Sequence, residues 1–141
     1  MSNNLAWGWV FFSLFSTALA FIASALVVNL APEAIGPGVT ELMSYLNGVN
    51  NSSWFGLKIY LCKSAGIILA GVSGLCVGNI GTSAHIGALV GMGVLYLPIK
   101  NIDFYHIDSR KREFVAAGLS CGMAVAFGAP IGGTLFGYEL S

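Results

Sequence analysis

The sequence predicts an all-α fold, a helical bundle that is integral to a membrane. Hydrophobic residues make up 56% of the 141 residues and charged residues only 9%, whereas about a quarter of a soluble domain is charged. The charges are also segregated. Uncharged runs, with histidine counted as neutral, cover 1–32, 64–99 and 114–138, and each exceeds the roughly 20 apolar residues that a membrane-spanning helix needs. Glycine and proline interrupt these runs, which predicts several helices of unequal length.

Each predicted helix lies between residues that break helices. The first apolar run carries Trp7 and Trp9 near its start, where interfacial aromatic residues are common, and Pro32 follows its end. Later breaks include a polar turn over 47–53 and Pro98. The predicted helices, which form one domain, cover residues 5–31, 37–46, 54–76, 80–97, 109–127 and 131–140.

Small residues four apart predict close contacts between helices in the membrane. The pairs are Gly66 and Ala70, Gly87 and Gly91, and Gly118 and Gly122. The alternative explanation is that glycine is simply frequent, since the chain has 19 of them.

Two predicted helices begin at glycine-containing breaks inside apolar sequence, GPG at 36–38 and GNIG at 78–81. The helix over 37–46 is too short to cross a bilayer at about 1.5 Å per residue, so we expect it to be re-entrant or interfacial. A helix N-terminus leaves backbone N–H groups unpaired and carries partial positive charge. Inside a membrane such a start must be buried in protein or line a wet cavity, and an anion is its natural partner. The breaks therefore indicate an anion site, with ordinary kinks as the alternative.

Three motifs, in the same order and with compatible spacings, resemble those of the CLC family of chloride channels and transporters. GPGVTEL at 36–42 resembles the GSGIPE motif of the family, and YLNGV at 45–49 continues it as in eukaryotic members. SGLCVGNIGT at 73–82 is similar to SGLxLG(K/R)EGP, and 114–136 is similar to FxAAGxxAGxxxAFxAPxGGxLF. The chain resembles most of the first half of a CLC subunit, an all-α membrane bundle with two broken helix starts.

The resemblance implies which residues bind an anion, because in the family both broken helix starts point at one. At Pro37 the family usually has a serine whose hydroxyl coordinates chloride, whereas proline has neither a hydroxyl nor an N–H. Some plant members also have proline there and favour nitrate, so the resemblance implies chloride or a nitrate-like anion. The anion-binding residues implied here are Gly36, Pro37, Gly38, Val39, Gly81 and Thr82.

The resemblance also implies the loss of two carboxylates that handle protons. Ile80 stands where most of the family has a gating glutamate, and Leu140 stands at the proton glutamate of the exchangers. Neither side chain binds a proton or competes with an anion as a charged group. Kidney-type channels of the family also have an aliphatic residue at the gate position. The resemblance therefore implies passive anion conduction without proton coupling.

Three further polar features have less specific interpretations. Lys63 matches a lysine that recurs in the family, and in the membrane its charge would attract anions; the alternative is that it snorkels to the interface. His85 lies one turn inside its helix, where we expect packing or hydrogen bonding rather than proton transfer. The basic cluster at 110–112 places the loop before it in the cytoplasm. Its three charges are few for an anionic-lipid site.

The sequence predicts no enzyme, cofactor or metal site, because no nucleophile–base pair, ligand cluster or phosphate-binding loop stands out. A net charge of zero gives no reason to expect nucleic-acid binding. By resemblance, the expected partners are the lipid bilayer and, in the full-length form, a second copy in a homodimer. The sequence does not distinguish the plasma membrane from an organelle membrane.

Three hypotheses about the whole protein remain open. The chain is part of a passive anion channel, a degenerate half that binds or regulates partner subunits without conducting, or an anion/proton exchanger with unusual chemistry. The resemblance implies that a second half would add a third helix N-terminus and a tyrosine to the anion site. We therefore do not expect the chain to conduct alone.

Overall fold

The computed structural model of the chain describes residues 2–96 and 108–140. Those two ranges form α-helices and two short 3-10 helices joined by turns, and within them there is no β-strand. The predicted all-α fold is confirmed. The predicted helix end at residue 97, and most of the loop before the basic cluster, lie outside the described residues. The helices are α1 (Ser2–Leu30), α2 (Val39–Leu46), α3 (Leu57–Val72), α4 (Asn79–Leu95), α5 (Asp108–Phe127) and α6 (Pro130–Leu140).

α1 has the length and composition to cross a bilayer. Its stretch Ala6–Leu30 has 25 residues, which is about 37 Å at 1.5 Å per residue, and within the described ranges it is the one helix of this kind. Most of its side chains are exposed. It packs on α3, where a Cβ added at Gly66 would lie 3.2 Å from Val27 Cγ2. α4 is also apolar but is shorter, at 17 residues.

α3 is shorter than the helix predicted over 54–76. A 3-10 helix, Ser52–Trp54, precedes it, and α3 ends four residues before the predicted end. The cause is Gly74, whose φ is +78°, and the N–H of Leu75 then donates to the carbonyl oxygen of Ala70 at 3.3 Å. This arrangement ends a helix at a residue in the left-handed conformation. The apolar residues that follow Gly74 therefore lie outside the helix.

α4 and α5 pack backbone against backbone through their glycines. A Cβ added at Gly87 would lie 2.9 Å from Gly122 Cα, and one added at Gly91 would lie 3.2 Å from Gly118 Cα. Neither position leaves room for a methyl group. The close helix contact predicted from the spacing of these four residues is confirmed, and we call it the glycine seam.

The buried core joins α2, α4 and α5. Leu140, at the end of α6, is partly buried and packs against it. Because α2 has only eight residues, its position depends on these contacts with two longer helices, and the contacts fix where its N-terminus lies. The buried core residues are Leu42, Tyr45, Ala84, Ala88, Met92, Val115, Leu119 and Met123.

Gly87→Ala is expected to destabilise the chain by about 1–3 kcal/mol, the usual cost of overpacking. The added methyl group would meet the backbone of α5, which cannot turn aside as a side chain can. Gly93→Ala on the same helix is the matched control, because nothing lies within 4 Å of its Cβ position. Alanine there should be neutral or stabilise α4 by up to about 1 kcal/mol. Denaturant unfolding in detergent measures both changes, and equal effects would contradict the glycine seam.

Candidate anion site

α2 begins where the backbone of two glycines is left-handed. The φ angles are +90° at Gly36 and +81° at Gly38, a region that glycine adopts without steric penalty. Gly38 is the N-cap residue, is buried, and has no side chain with which to cap the helix. The N–H groups of the first turn have no backbone carbonyl partner within their own helix.

α4 begins next to α2. Its N-cap residue, Gly78, also provides no side-chain cap. A Cβ added at Gly81 would lie 2.7 Å from Pro37 Cβ and 3.2 Å from the Pro37 carbonyl oxygen. The first turn of α4 therefore lies directly against the residue that precedes the N-cap of α2. The two helix starts are neighbours, so their partial positive charges act on the same region.

The predicted anion-binding residues all belong to these two helix starts. Gly36, Pro37, Gly38 and Val39 lie at the start of α2, and Gly81 and Thr82 lie in the first turn of α4. Thr82 differs from the others because its hydroxyl donates a hydrogen bond to the Asn79 carbonyl oxygen at 3.2 Å. A hydroxyl has one hydrogen, so in this rotamer Thr82 Oγ1 has none left to donate to an anion.

Lys63 on α3 lies directly behind the start of α2. The residue is only 4% exposed, and a Cβ added at Gly38 would lie 2.8 Å from its Nζ. Its Nζ is 2.6 Å from Nδ1 of His85 on α4, which is 2% exposed. The side chain is thus buried in the protein, whereas a lysine that snorkels would reach the membrane interface.

The two positions expected to have lost a carboxylate lie in different places. Ile80 is the second residue of α4 and is 43% exposed. Leu140 ends α6 and packs against the core. Ile80 therefore belongs to the junction of the helix starts, whereas Leu140 belongs to the packing of α6.

The pairing of His85 with Lys63 is the part of the site that sequence reasoning missed. The two residues are 22 apart in sequence and lie on different helices. A signal was present, because a lysine and a histidine lie in neighbouring apolar stretches, and ionisable groups within a membrane commonly pair with one another. The distance between them depends on how α3 packs against α4.

An apolar groove lies away from the junction, between the start of α3 and the end of α4. Its volume is about 520 Å³, and the described residues that line it carry no charged side chain. Its lining includes Phe55, Leu57, Tyr60, Leu89 and Val94.

The sequence is similar to proteins of known family over most of its length. A family model described as voltage gated chloride channel matches residues 19–141. Chloride channel protein D of Dictyostelium discoideum is 39% identical over 133 residues, 89% of this chain. H(+)/Cl(-) exchange transporter 7 of Homo sapiens is 33% identical over 144 residues, 97% of this chain. Chloride channel protein CLC-a of Arabidopsis thaliana is 33% identical over 139 residues, 94% of this chain.

The chain spans less than a fifth of the length of these relatives. The shares are 13% of the Dictyostelium protein and 18% of each of the other two. The family match nevertheless includes all three sequence motifs and every helix from α2 to α6. The chain belongs to the voltage-gated chloride channel (CLC) family and is an integral membrane protein.

Proposed function

We propose that the residues at the starts of α2 and α4 form one side of the anion pathway of a channel-type chloride or anion transporter, as part of a larger protein. The observation that carries the proposal is the contact between Pro37 and Gly81, where the uncapped starts of α2 and α4 meet. Helix N-termini present N–H groups and partial positive charge to an anion. Lys63 adds a full positive charge behind the start of α2.

Anion movement through this pathway is passive and is not coupled to protons. Coupled exchange needs side chains that take up and release a proton along the path. Ile80 and Leu140, which align with the two glutamates that serve this purpose in exchangers, are aliphatic. The packing of Leu140 against the core also supports a structural role for that position.

Chloride and nitrate are the proposed permeant anions. Pro37 supplies neither an N–H nor a hydroxyl, so this position of the site has fewer hydrogen-bond donors than a serine would give it. The donors that remain are backbone N–H groups, which do not discriminate strongly between small anions. We therefore expect both anions to pass.

Coupled anion/proton exchange is the second candidate function. A relative that is 33% identical is named an H(+)/Cl(-) exchange transporter, and that similarity covers 97% of this chain, including the segment that carries Ile80. Exchange in this protein would need other residues to carry the proton.

Simultaneous measurement of anion and proton flux separates the two candidates. The longest natural product that contains these residues is reconstituted in proteoliposomes, with protein-free liposomes as the control. An anion electrode records chloride or nitrate efflux, and a pH-sensitive dye records proton movement. We expect efflux of both anions without uphill proton movement. Proton movement driven by a chloride gradient would establish exchange instead. The absence of any flux would favour the remaining hypothesis, a half that binds or regulates partner subunits without conducting.

A further inference from the structure

Lys63 and His85 form a buried pair between α3 and α4 whose role the proposed function does not explain. The bond from Nζ to Nδ1 measures 2.6 Å. Among the described residues, no carboxylate forms a salt bridge with Lys63. Glu41 on α2 interacts with the ammonium group over a longer distance. The imidazole is therefore the hydrogen-bonding partner that determines where the ammonium group lies.

The chemistry of the ammonium group assigns the protonation of the ring. With Lys63 in its charged form, the ammonium group donates hydrogen bonds and cannot accept them, so Nδ1 must accept with its lone pair. The ring is then neutral, and its proton is on Nε2. A ring protonated at both nitrogens would place two positive groups within hydrogen-bond distance. Nε2 is buried and has no partner of hydrogen-bond geometry among the described residues, although the backbone of Trp54 is close to the ring.

Gly38 shows where the pair acts. A Cβ added there would lie 2.6 Å from His85 Cγ and 2.8 Å from Lys63 Nζ. Both groups therefore touch the N-cap residue of α2. Lysine has a long, flexible side chain. Glu41 lies on α2, three residues after the N-cap Gly38. Without an acceptor at the place of Nδ1, the ammonium group would be able to turn toward the Glu41 carboxylate, which would offset its charge.

We propose that His85 is a positioning residue for anion binding, which holds the Lys63 ammonium group against the N-cap of α2. There the lysine charge adds to the partial positive charge of the helix start. The inference rests on the proposed anion site. It gives His85 no contact with the anion and no proton transfer. What the position requires is a hydrogen-bond acceptor at the place of Nδ1, not an imidazole ring.

Two amides of different length separate positioning from packing. In His85→Asn the side-chain oxygen lies near the place of Nδ1, whereas in His85→Gln the amide reaches the place of Nε2; His85→Leu has no acceptor. We expect chloride to bind to His85→Asn as it does to the native chain. It should bind about tenfold more weakly to the other two, which lose a hydrogen bond to a charged group. Chloride titration in lipid nanodiscs, followed by the NMR shifts of the Gly38 and Gly81 amides, measures the half-saturating concentration.

Lys63→Met provides the control background. If His85 acts only through the lysine, all three His85 substitutions should have equal chloride affinity once the charge is removed, because coupled residues are not additive. Affinity differences that persist in Lys63→Met would mean that His85 acts through packing, and would overturn the inference. The inference would also be overturned if the single substitution His85→Leu, with Lys63 present, bound chloride with native affinity.

The ring provides a measurement that does not depend on the anion. The chain has two histidines, so His106→Gln leaves His85 as the single source of imidazole nitrogen signals. We expect these signals to show the proton on Nε2, and a proton on Nδ1 would overturn the inference. A native chain with the expected ring form that binds neither chloride nor nitrate would overturn the proposed function, and the anion role of the pair with it, while leaving the hydrogen bond established.

Discussion

Ile80→Glu is expected to lower anion flux at neutral pH by about tenfold and to restore it at acid pH. Ile80 is the second residue of α4, so a glutamate there would place a carboxylate at the helix N-terminus. That environment favours a negative group by roughly 0.3–2 kcal/mol, and about 1.4 kcal/mol corresponds to a factor of ten. The carboxylate would compete with the permeant anion for the same N–H groups. Protonation at low pH removes the competing charge, so flux should rise as pH falls.

Ile80→Gln is the control for this substitution, since glutamine has nearly the same shape as glutamate and no charge. We expect its flux to stay near that of the native protein and to be independent of pH. Flux is measured in proteoliposomes over a range of pH with a fixed chloride gradient. If both substitutions leave flux unchanged at every pH, residue 80 does not face the anion, and its alignment with the gate position is wrong.

Gly38→Ala is expected to weaken both the fold and anion binding, and to do so more than Gly36→Ala, the corresponding substitution of the other glycine at the start of α2. The left-handed backbone, with φ of +81°, would cost an alanine roughly 1–2 kcal/mol. The added methyl group would also lie 2.8 Å from Lys63 Nζ and 2.6 Å from His85 Cγ, and overpacking of this kind costs about 1–3 kcal/mol. The collision would displace the ammonium group, so chloride affinity should fall together with stability.

Gly36→Ala separates these two causes. Its φ is also left-handed, at +90°, but nothing lies within 4 Å of its Cβ position. This substitution should therefore show the backbone cost alone, with chloride affinity within about threefold of the native value, equivalent to less than 1 kcal/mol. Denaturant unfolding and chloride titration of the two variants supply the comparison. Equal losses of chloride affinity in both would mean that the contact of Gly38 with the pair has no part in binding.

The helices could be predicted from sequence because the signals for them are local. Uncharged runs and residues that break helices, such as Pro32, are visible without any knowledge of the fold. The end of α3 was not visible, because the residues after Gly74 are as apolar as those before it. Whether a glycine continues or ends a helix depends on its backbone conformation, and hydropathy does not report that.

The candidate site was predictable only in part, for a related reason. The helix starts of α2 and α4 are marked by glycine and proline, so the residues that form the junction could be named in advance. The contact between Lys63 and His85 joins two helices. Such a contact is a property of their packing angle and rotation, which no short stretch of sequence specifies. The prediction therefore identified both residues without identifying the pair.

The glycine seam also determines how motion can be transmitted through this chain. α4 and α5 are antiparallel, since Gly87 near the middle of α4 faces Gly122 toward the end of α5, while Gly91 contacts the backbone of Phe114 near its beginning. Sliding one helix along the other would bring larger side chains onto the facing backbone. The two helices should therefore move as one rigid lever. A displacement of the start of α4 at the Pro37–Gly81 junction would then also move the opposite end of this helix pair, where the basic first turns of α5 lie.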